Sequence, residues 1–323
     1  MSTSLNISFT QSDLALLQLA GTLRDSGYQF TTPTPATHKV VSDRPENAGA
    51  RTVEDVFGWS RPFEAEILPP ELWDLMRAAN LALSCGSGWK SALRISSLGG
   101  QLFLHSAFPT LEADAVFFGP DTYRFALALE HFFALQKASG APPVRRAVDI
   151  GSGAGPGAIV TALAHPGAEV VAVDINERAL HLTRLNAALA GVSNVQVRQS
   201  DLLNDVNGSF DLIVANPPYL VDACERAYRH GGGPLGAGLS LQIVDAALER
   251  LAPGGTLLLY TGAAILHGED PFREAVSQKI NSDAANWSYR EVDPDVFGEE
   301  LLGGAYAGCD RIAAVVLTVT KPV

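Results

Sequence analysis

The sequence predicts an α/β protein: a largely parallel sheet preceded by a smaller, mixed α/β N-terminal domain. Three observations carry this expectation. From residue 146 onward, short apolar runs of strand length alternate with helical runs, the order expected of βαβ units. The first of these runs, AVDI, leads straight into a glycine-rich turn, Gly151 to Gly157. Before residue 138 the pattern is different, with helical runs around one alternating β-hairpin.

The chain has 323 residues, of which 47% are hydrophobic and 18% charged. That composition supports a sizeable core and excludes wholesale disorder, and the length suits about two domains. No apolar stretch is long enough for a transmembrane helix, and the N-terminus lacks a secretory pattern. Three scattered cysteines, Cys85, Cys224 and Cys309, fit a reducing, cytoplasmic setting. Neither they nor the seven histidines show metal-ligand spacing, so neither a metal nor a membrane is expected. The histidines read as surface or helix residues, except that His230 stands apart by its place in the loop after residues 216–219. The formal charge of −12 weakens the case for binding nucleic acid through a basic platform.

In chain order, residues 12–24 read as an amphipathic helix capped by Ser12 or Asp13, and 29–51 as a loop. Thr52 and Asp55 form a capping-box pattern for a short helix. Pro69-Pro70 opens a helix over 71–83. LRISS and QLFLHS flank Leu98-Gly99-Gly100 as a hairpin, and AVFF (115–118) reads as a further strand. Gly99-Gly100-Gln101 matches the methylated triplet of peptide release factors, but its place between alternating strands makes it a turn. Residues 119–136 form a strong helix. ASGAPP (138–143) is a linker, dividing an N-terminal substrate-recognition domain (1–140) from a catalytic domain (141–323). Seven strands are expected in the latter: AVDI, EVVAVDI, NVQVRQSD, FDLIVANPP, GGTLLLYTG, WSYREVD and RIAAVVLTVT.

The chemistry is expected at the carboxyl ends of those strands. Glycines after Asp149 let backbone approach a bulky ligand. Asp174, at the end of the second strand, is placed to accept ribose hydroxyls, the alternative being a cap for the following helix. Asp201 follows the third strand and offers an acceptor to an adenine amino group, or is a solvated turn residue. Asn216-Pro217-Pro218-Tyr219 follows the fourth strand. Its two prolines remove two donors and stiffen the turn. The Asn216 side-chain oxygen and the Pro217 carbonyl can then each accept one hydrogen of an –NH2 group, while Tyr219 offers a flat face to a planar group. Positioning of that nitrogen carries much of the step. Arg226 and Arg229, in the loop that follows, either meet an acidic substrate or are solvated. Ser240 lacks a nucleophile elbow.

The succession VDIGSGAGPG, VVAVDI, SDLL and NPPY resembles the class I S-adenosylmethionine-dependent methyltransferases. Within them it resembles the Asn-Pro-Pro-Tyr amino-methyltransferases, and most of all the release-factor glutamine N5-methyltransferases. Gly119-Pro120-Asp121-Thr122 is similar to their Pro-x-Pro-Asp-Thr-Glu segment, with Tyr123 in place of the Glu. Gly231–Leu239 is similar to their Gly-Gly-Pro-Asp-Gly-Leu region. The resemblance covers about 115–320. It implies a Rossmann-like seven-stranded sheet and S-adenosyl-L-methionine as methyl donor. Asp149, Gly151, Gly153 and Gly155 would surround its methionine part, Asp174 with Ile175 its ribose, and Asp201 with Leu202 its adenine. Thr122 would help close the pocket. Asn216, Pro217, Pro218 and Tyr219 would hold the accepting nitrogen. The acceptor it implies is a protein glutamine or asparagine side chain, with an RNA base or a small-molecule amine as alternatives. An NAD-dependent oxidoreductase would use the same glycine turn and Asp174, but leaves Asp149 and Asn-Pro-Pro-Tyr unexplained. A non-catalytic binding protein would be expected to show a degraded site.

Overall fold

The computed structural model describes residues 9–222, 224, 226, 228–280 and 285–323. The chain forms two compact units. One holds the chain up to Thr110 with the short segments Phe118–Pro120 and Ala188–Gly191, and the other holds the rest. The division by contacts therefore falls ahead of the 138–143 segment, because the long helix before that segment packs with the second unit.

In the first unit, α1 (Gln11–Asp25) begins with a capping box. The Asp13 amide donates to Thr10 Oγ1, and the Thr10 amide donates to the Asp13 carboxylate. The cap is thus Thr10 rather than Ser12 or Asp13. Leu16, Leu19, Ala20 and Leu23 bury one face of α1, the i, i+3, i+4, i+7 stripe of a packed helix. The 29–51 stretch is not all loop. Thr34 caps α2 (Pro35–Ser42), with Pro35 at its first turn, where a missing N–H costs nothing. α3 (Val53–Phe57) carries the expected Thr52–Asp55 capping box. α4 (Pro70–Ala78) ends short of 83; Asn80 takes a left-handed φ of 58°, and the chain turns into β1 (Ala82–Cys85). β1 pairs antiparallel with β2 (Gly88–Ser91), a hairpin the sequence reading missed. β3 (Leu93–Leu98) and β4 (Gln101–Ser106) form the expected hairpin, with Gly99 and Gly100 both at positive φ. His38 and His105 are core residues rather than surface ones. His105 Nε2 lies 2.7 Å from Ser96 Oγ, and burial holds its pKa well below the usual value. Residues 115–118 form no strand; this run is apolar because Ala115, Val116 and Phe118 are buried.

The second unit takes in α5 (Pro120–Ser139) from Asp121 onward. Then follow β5 (Arg146–Ile150), α6 (Pro156–Ala164), β6 (Glu169–Asp174), α7 (Glu177–Leu189), β7 (Val195–Gln199) and β8 (Phe210–Ala215). The rest is α8 (Gly238–Arg250), β9 (Leu251–Ile265), α9 (Pro271–Lys279), β10 (Asn286–Asp293) and β11 (Arg311–Thr320). Seven strands form one sheet in the order β10-β11-β9-β8-β5-β6-β7. β11 runs antiparallel to both its neighbours, and the pairs from β9 to β7 are parallel. Every residue of β8 is buried except Asp211, which is partly exposed. Such near-continuous apolar runs are what a sheet covered on both faces requires. One face packs Ile213, Ile243, Val244 and Leu257; the other packs Phe125, Leu129, Val214 and Tyr260. Strand order reverses between β5 and β8, and a crevice at such a switch point takes ligands.

Candidate active site

The row of strand ends β8, β5, β6, β7 carries the residues singled out in the sequence. Gly151, Gly153 and Gly155 have φ of 69°, 56° and 85°, conformations that side chains resist. Gly155 caps α6, and Pro156 starts it. The turn is held from outside. The amides of Gly151 and Ser152 both donate to the Val173 carbonyl at 2.9 Å. The Thr183 hydroxyl donates to the Gly153 carbonyl at 2.9 Å, and the Asn186 amide to the Ala154 carbonyl at 2.8 Å. A Cβ on Gly157 would lie 2.7 Å from the Asp149 carboxylate, so this glycine lets α6 start directly against β5.

Asp149 is buried, and its Oδ2 accepts the Ala158 amide at 2.8 Å. Burial pushes its carboxyl up to about 7; the Ala158 bond opposes that rise, and the nearby Asp174 adds to it. Asp174 accepts two backbone amides, Gly153 on Oδ2 and Asn176 on Oδ1, each at 2.9 Å. It therefore ties the end of β6 to the glycine turn. The cap of α7 is Asn176, whose Oδ1 accepts the Arg178 amide at 3.0 Å. Each Asp174 oxygen keeps a second lone pair, so ribose hydroxyls can add to the bonds already made. Ile175 is 58% exposed. Asp201 is exposed, with no side-chain partner among the described residues, and Leu202 follows at φ 51°. Two carboxylates whose pKa values burial raises, beside a glycine-rich turn, fit a ligand with positive charge and a ribose. Thr122 is buried in the first turn of α5.

Asn216 follows β8 beside Gly151, since Ala215 pairs with Ile150. It is partly exposed, and its side chain has no hydrogen-bond partner among the described residues. Tyr219 differs from expectation. Its ring is 6% exposed, turned inward, with edge contacts to Phe297 at 5.8 Å and Tyr260 at 6.5 Å. A Cβ on Gly262 would lie 2.1 Å from that ring. The bare glycine of β9 is its seat, so the ring anchors the turn rather than offering a free face. The glycines after it close on the same backbone: a Cβ on Gly231 would meet the Pro218 carbonyl at 2.6 Å, and one on Gly236 the Tyr219 carbonyl at 2.2 Å.

Arg226 and Arg229 are partly exposed but committed to ion pairs with this chain's own carboxylates. Arg226 forms a two-pronged pair with Asp222, through Nε at 2.9 Å and Nη2 at 2.6 Å. Arg229 pairs with Glu300 and lies 3.6 Å from Asp222. These bonds hold Asp222 at about 2. His230 Nδ1 accepts the Asp222 amide at 3.2 Å. The Tyr306 hydroxyl accepts the Val221 amide at 3.0 Å and donates to the Leu235 carbonyl at 3.3 Å. Ser240 is buried 2.7 Å from Thr261, a structural hydroxyl. Sequence reasoning quoted Asp121 within Gly119-Pro120-Asp121-Thr122 without giving it a role, and passed over Tyr260, Gly262, Phe297 and Tyr306. A polar-tipped aromatic at the end of an otherwise apolar strand, LLLYTG, was the one signal for Tyr260.

Residues 132–265 match the methyltransferase small domain. A release factor glutamine methyltransferase of Deinococcus radiodurans is 35% identical over 202 residues, 59% of this chain and 66% of that protein. A ribosomal protein uL3 glutamine methyltransferase of Bordetella pertussis is 36% identical over 144 residues, 41% of this chain and 47% of that protein. The ribosomal RNA small subunit methyltransferase C of Chromohalobacter salexigens is 34% identical over 143 residues, 43% of this chain and 39% of that protein. The chain thus spans 66%, 47% and 39% of the lengths of these relatives. Sheet order, glycine turn and sequence likeness together define the second unit as a class I methyltransferase domain. Its likeness includes the glutamine methyltransferases of release factors and of ribosomal protein uL3.

Proposed function

We propose that this protein is an S-adenosylmethionine-dependent N-methyltransferase whose acceptor is the side-chain amide of a protein glutamine. The observation that carries the reading is Asn216: a side-chain amide without a partner among the described residues, at the end of β8, beside the glycine turn, and stiffened by two prolines. Asp149, Gly151, Gly153 and Gly155 would hold the methionine end of the donor, Asp174 its ribose, and Asp201 with Leu202 its adenine. When bound, the donor supplies a methyl group on a sulfonium. The protein's own contribution is orientation. Asn216 Oδ1 and the Pro217 carbonyl accept the two hydrogens of the acceptor amide and aim its nitrogen at that methyl group. The N–C bond forms as the S–C bond breaks, S-adenosylhomocysteine departs, and the nitrogen loses one proton to solvent. Holding two reactants in line is itself worth about 7–11 kcal/mol of barrier in well-oriented cases, so no strong base is required.

The relatives that modify a release factor and ribosomal protein uL3 support a protein acceptor and a cytoplasmic setting beside the translation machinery. We read the N-terminal part, expected over residues 1–140, as the acceptor-recognition domain. The test is methyl transfer from tritiated-methyl S-adenosylmethionine to three separate acceptors: purified release factor, ribosomal protein uL3, and small-subunit ribosomal RNA. Label on a glutamine of either protein supports the reading. Label on RNA alone replaces the acceptor class, and no label on any of the three contradicts the reading.

A further inference from the structure

Asp121 and Tyr260 have no place in the chemistry above, yet they form a buried bonded pair next to the acceptor turn. The Tyr260 hydroxyl donates to Asp121 Oδ1 at 2.7 Å. Asp121 sits in the first turn of α5, 7% exposed, and Tyr260 is fully buried in β9. Arg124 Nη1 lies 3.3 Å from the same Asp121 oxygen, and Arg124 Nη2 pairs with Asp293 at the end of β10 at 2.7 Å. A buried carboxylate costs stability unless it is paired and hydrogen-bonded. This one is met by a hydroxyl and a guanidinium from two different elements, so its geometry is closely specified.

The pair meets the acceptor turn through Tyr219. The Tyr260 ring stands at 61° to the Tyr219 ring, with centroids 6.5 Å apart. The Tyr219 hydroxyl lies near Asp121 but makes no well-formed hydrogen bond among the described residues. Gly262, two residues after Tyr260, forms the seat under the ring. Tyr219 is therefore boxed in by the glycine below and by Tyr260 and Phe297 at its edges. Of these walls, the Tyr260 side chain is pinned by its own hydrogen bond to Asp121 of α5. A change in its tilt passes to Tyr219, and through the rigid Pro217-Pro218 link to Asn216.

We propose that the Tyr260–Asp121 hydrogen bond is a positioning device for the acceptor turn, fixing Tyr219 and hence the direction of the Asn216 side chain. The inference deepens the methyltransferase reading and rests on it. Tyr260→Phe keeps the ring and removes the bond. The acceptor labelled by the wild-type protein in the experiment above serves as substrate, and S-adenosylhomocysteine as the binding probe. Turnover falls about tenfold or more, as expected for misplacement rather than loss of a reacting group. The dissociation constant for S-adenosylhomocysteine stays within about twofold, because a loss confined to kcat marks a transition-state interaction. Asp121→Asn, which keeps an acceptor oxygen for Tyr260, recovers most of the turnover lost in Asp121→Ala.

Amide hydrogen exchange provides a readout that does not depend on activity. Peptides covering Asn216–Leu220 exchange faster in Tyr260→Phe than in wild type, and peptides covering α6 do not. Unchanged turnover or unchanged exchange over Asn216–Leu220 in Tyr260→Phe overturns the proposal. So does a parallel fall of turnover and S-adenosylhomocysteine affinity, which marks a general structural role. Should the wild type label none of the three acceptors, the methyltransferase reading fails, and exchange at the turn still decides the pair.

Discussion

The Asp149 carboxylate accepts the Ala158 amide at 2.8 Å, joining the end of the central strand to the first turn of the helix that follows it. The bond places an acid inside the fold, where burial lifts its pKa to about 7. An acid raised in the fold holds its proton at pH values where the unfolded chain, at about 3.9, has lost it. Stability contributed by this residue therefore falls as pH rises from about 4 to 7. Asp149→Asn keeps an acceptor for Ala158 and removes the charge. We expect it to raise the melting temperature at pH 8 and leave it nearly unchanged at pH 4, checked by thermal unfolding at the two pH values. Equal shifts at both would contradict the assignment.

With the donor bound beside Asp149 as proposed, the same acid should couple cofactor binding to pH. A cationic donor favours the ionised carboxylate, so binding displaces the proton that Asp149 carries below about 7. Affinity for S-adenosylmethionine should rise between pH 6 and 8 in the wild type and change little in Asp149→Asn. Titration calorimetry in buffers of different ionisation enthalpy reads the released proton. Identical pH profiles in the two proteins would reject the coupling.

Asp174 has one observed role and one proposed role, which two substitutions test. It anchors the glycine turn through Gly153 and is proposed to hold the ribose. Asp174→Ala leaves the Gly153 and Asn176 amides without their acceptor, a cost of about 1–3 kcal/mol for each donor left unsatisfied in the interior. Asp174→Asn keeps one acceptor oxygen. Both variants should lose cofactor affinity; the alanine variant loses both amide bonds and the asparagine variant one of the two, so the stability loss should be larger for alanine. An unchanged dissociation constant for S-adenosylhomocysteine in both would remove the ribose role.

Gly262 is predicted to be intolerant of any side chain. A Cβ there would lie 2.1 Å from the Tyr219 ring, and overpacking of a filled core typically costs about 1–3 kcal/mol. Gly262→Ala should lower the denaturant midpoint by that order and displace Tyr219, reducing turnover. Gly303, which meets nothing within 4 Å, is the control site: Gly303→Ala should leave turnover close to wild type.

Sequence and structure agree best where the signal is local and periodic. The seven strands were legible because runs such as FDLIVA are apolar but for Asp211 and end in turn residues. Asp149, Asp174, Asp201 and Asn216 were legible because each stands at the end of such a run. Elements read less well where the local signal was weak or a long-range partner decided. α2 hides in a segment rich in Thr and Pro, although Thr34-Pro35 is a start signal. AVFF is apolar because it is buried, not because it joins a sheet. Tyr219 turns inward because Gly262, on another strand, leaves room for it. Arg226 and Arg229 are spent on Asp222 and on Glu300, the latter far along the chain.

The central claim is that Asn216 orients the accepting nitrogen, and Asn216→Ala tests it most directly. Methyl transfer and S-adenosylhomocysteine affinity would be measured on the same preparation. The account predicts affinity within a few-fold of wild type, because the side chain has no structural partner among the described residues, and loss of nearly all turnover. Undiminished turnover would contradict it.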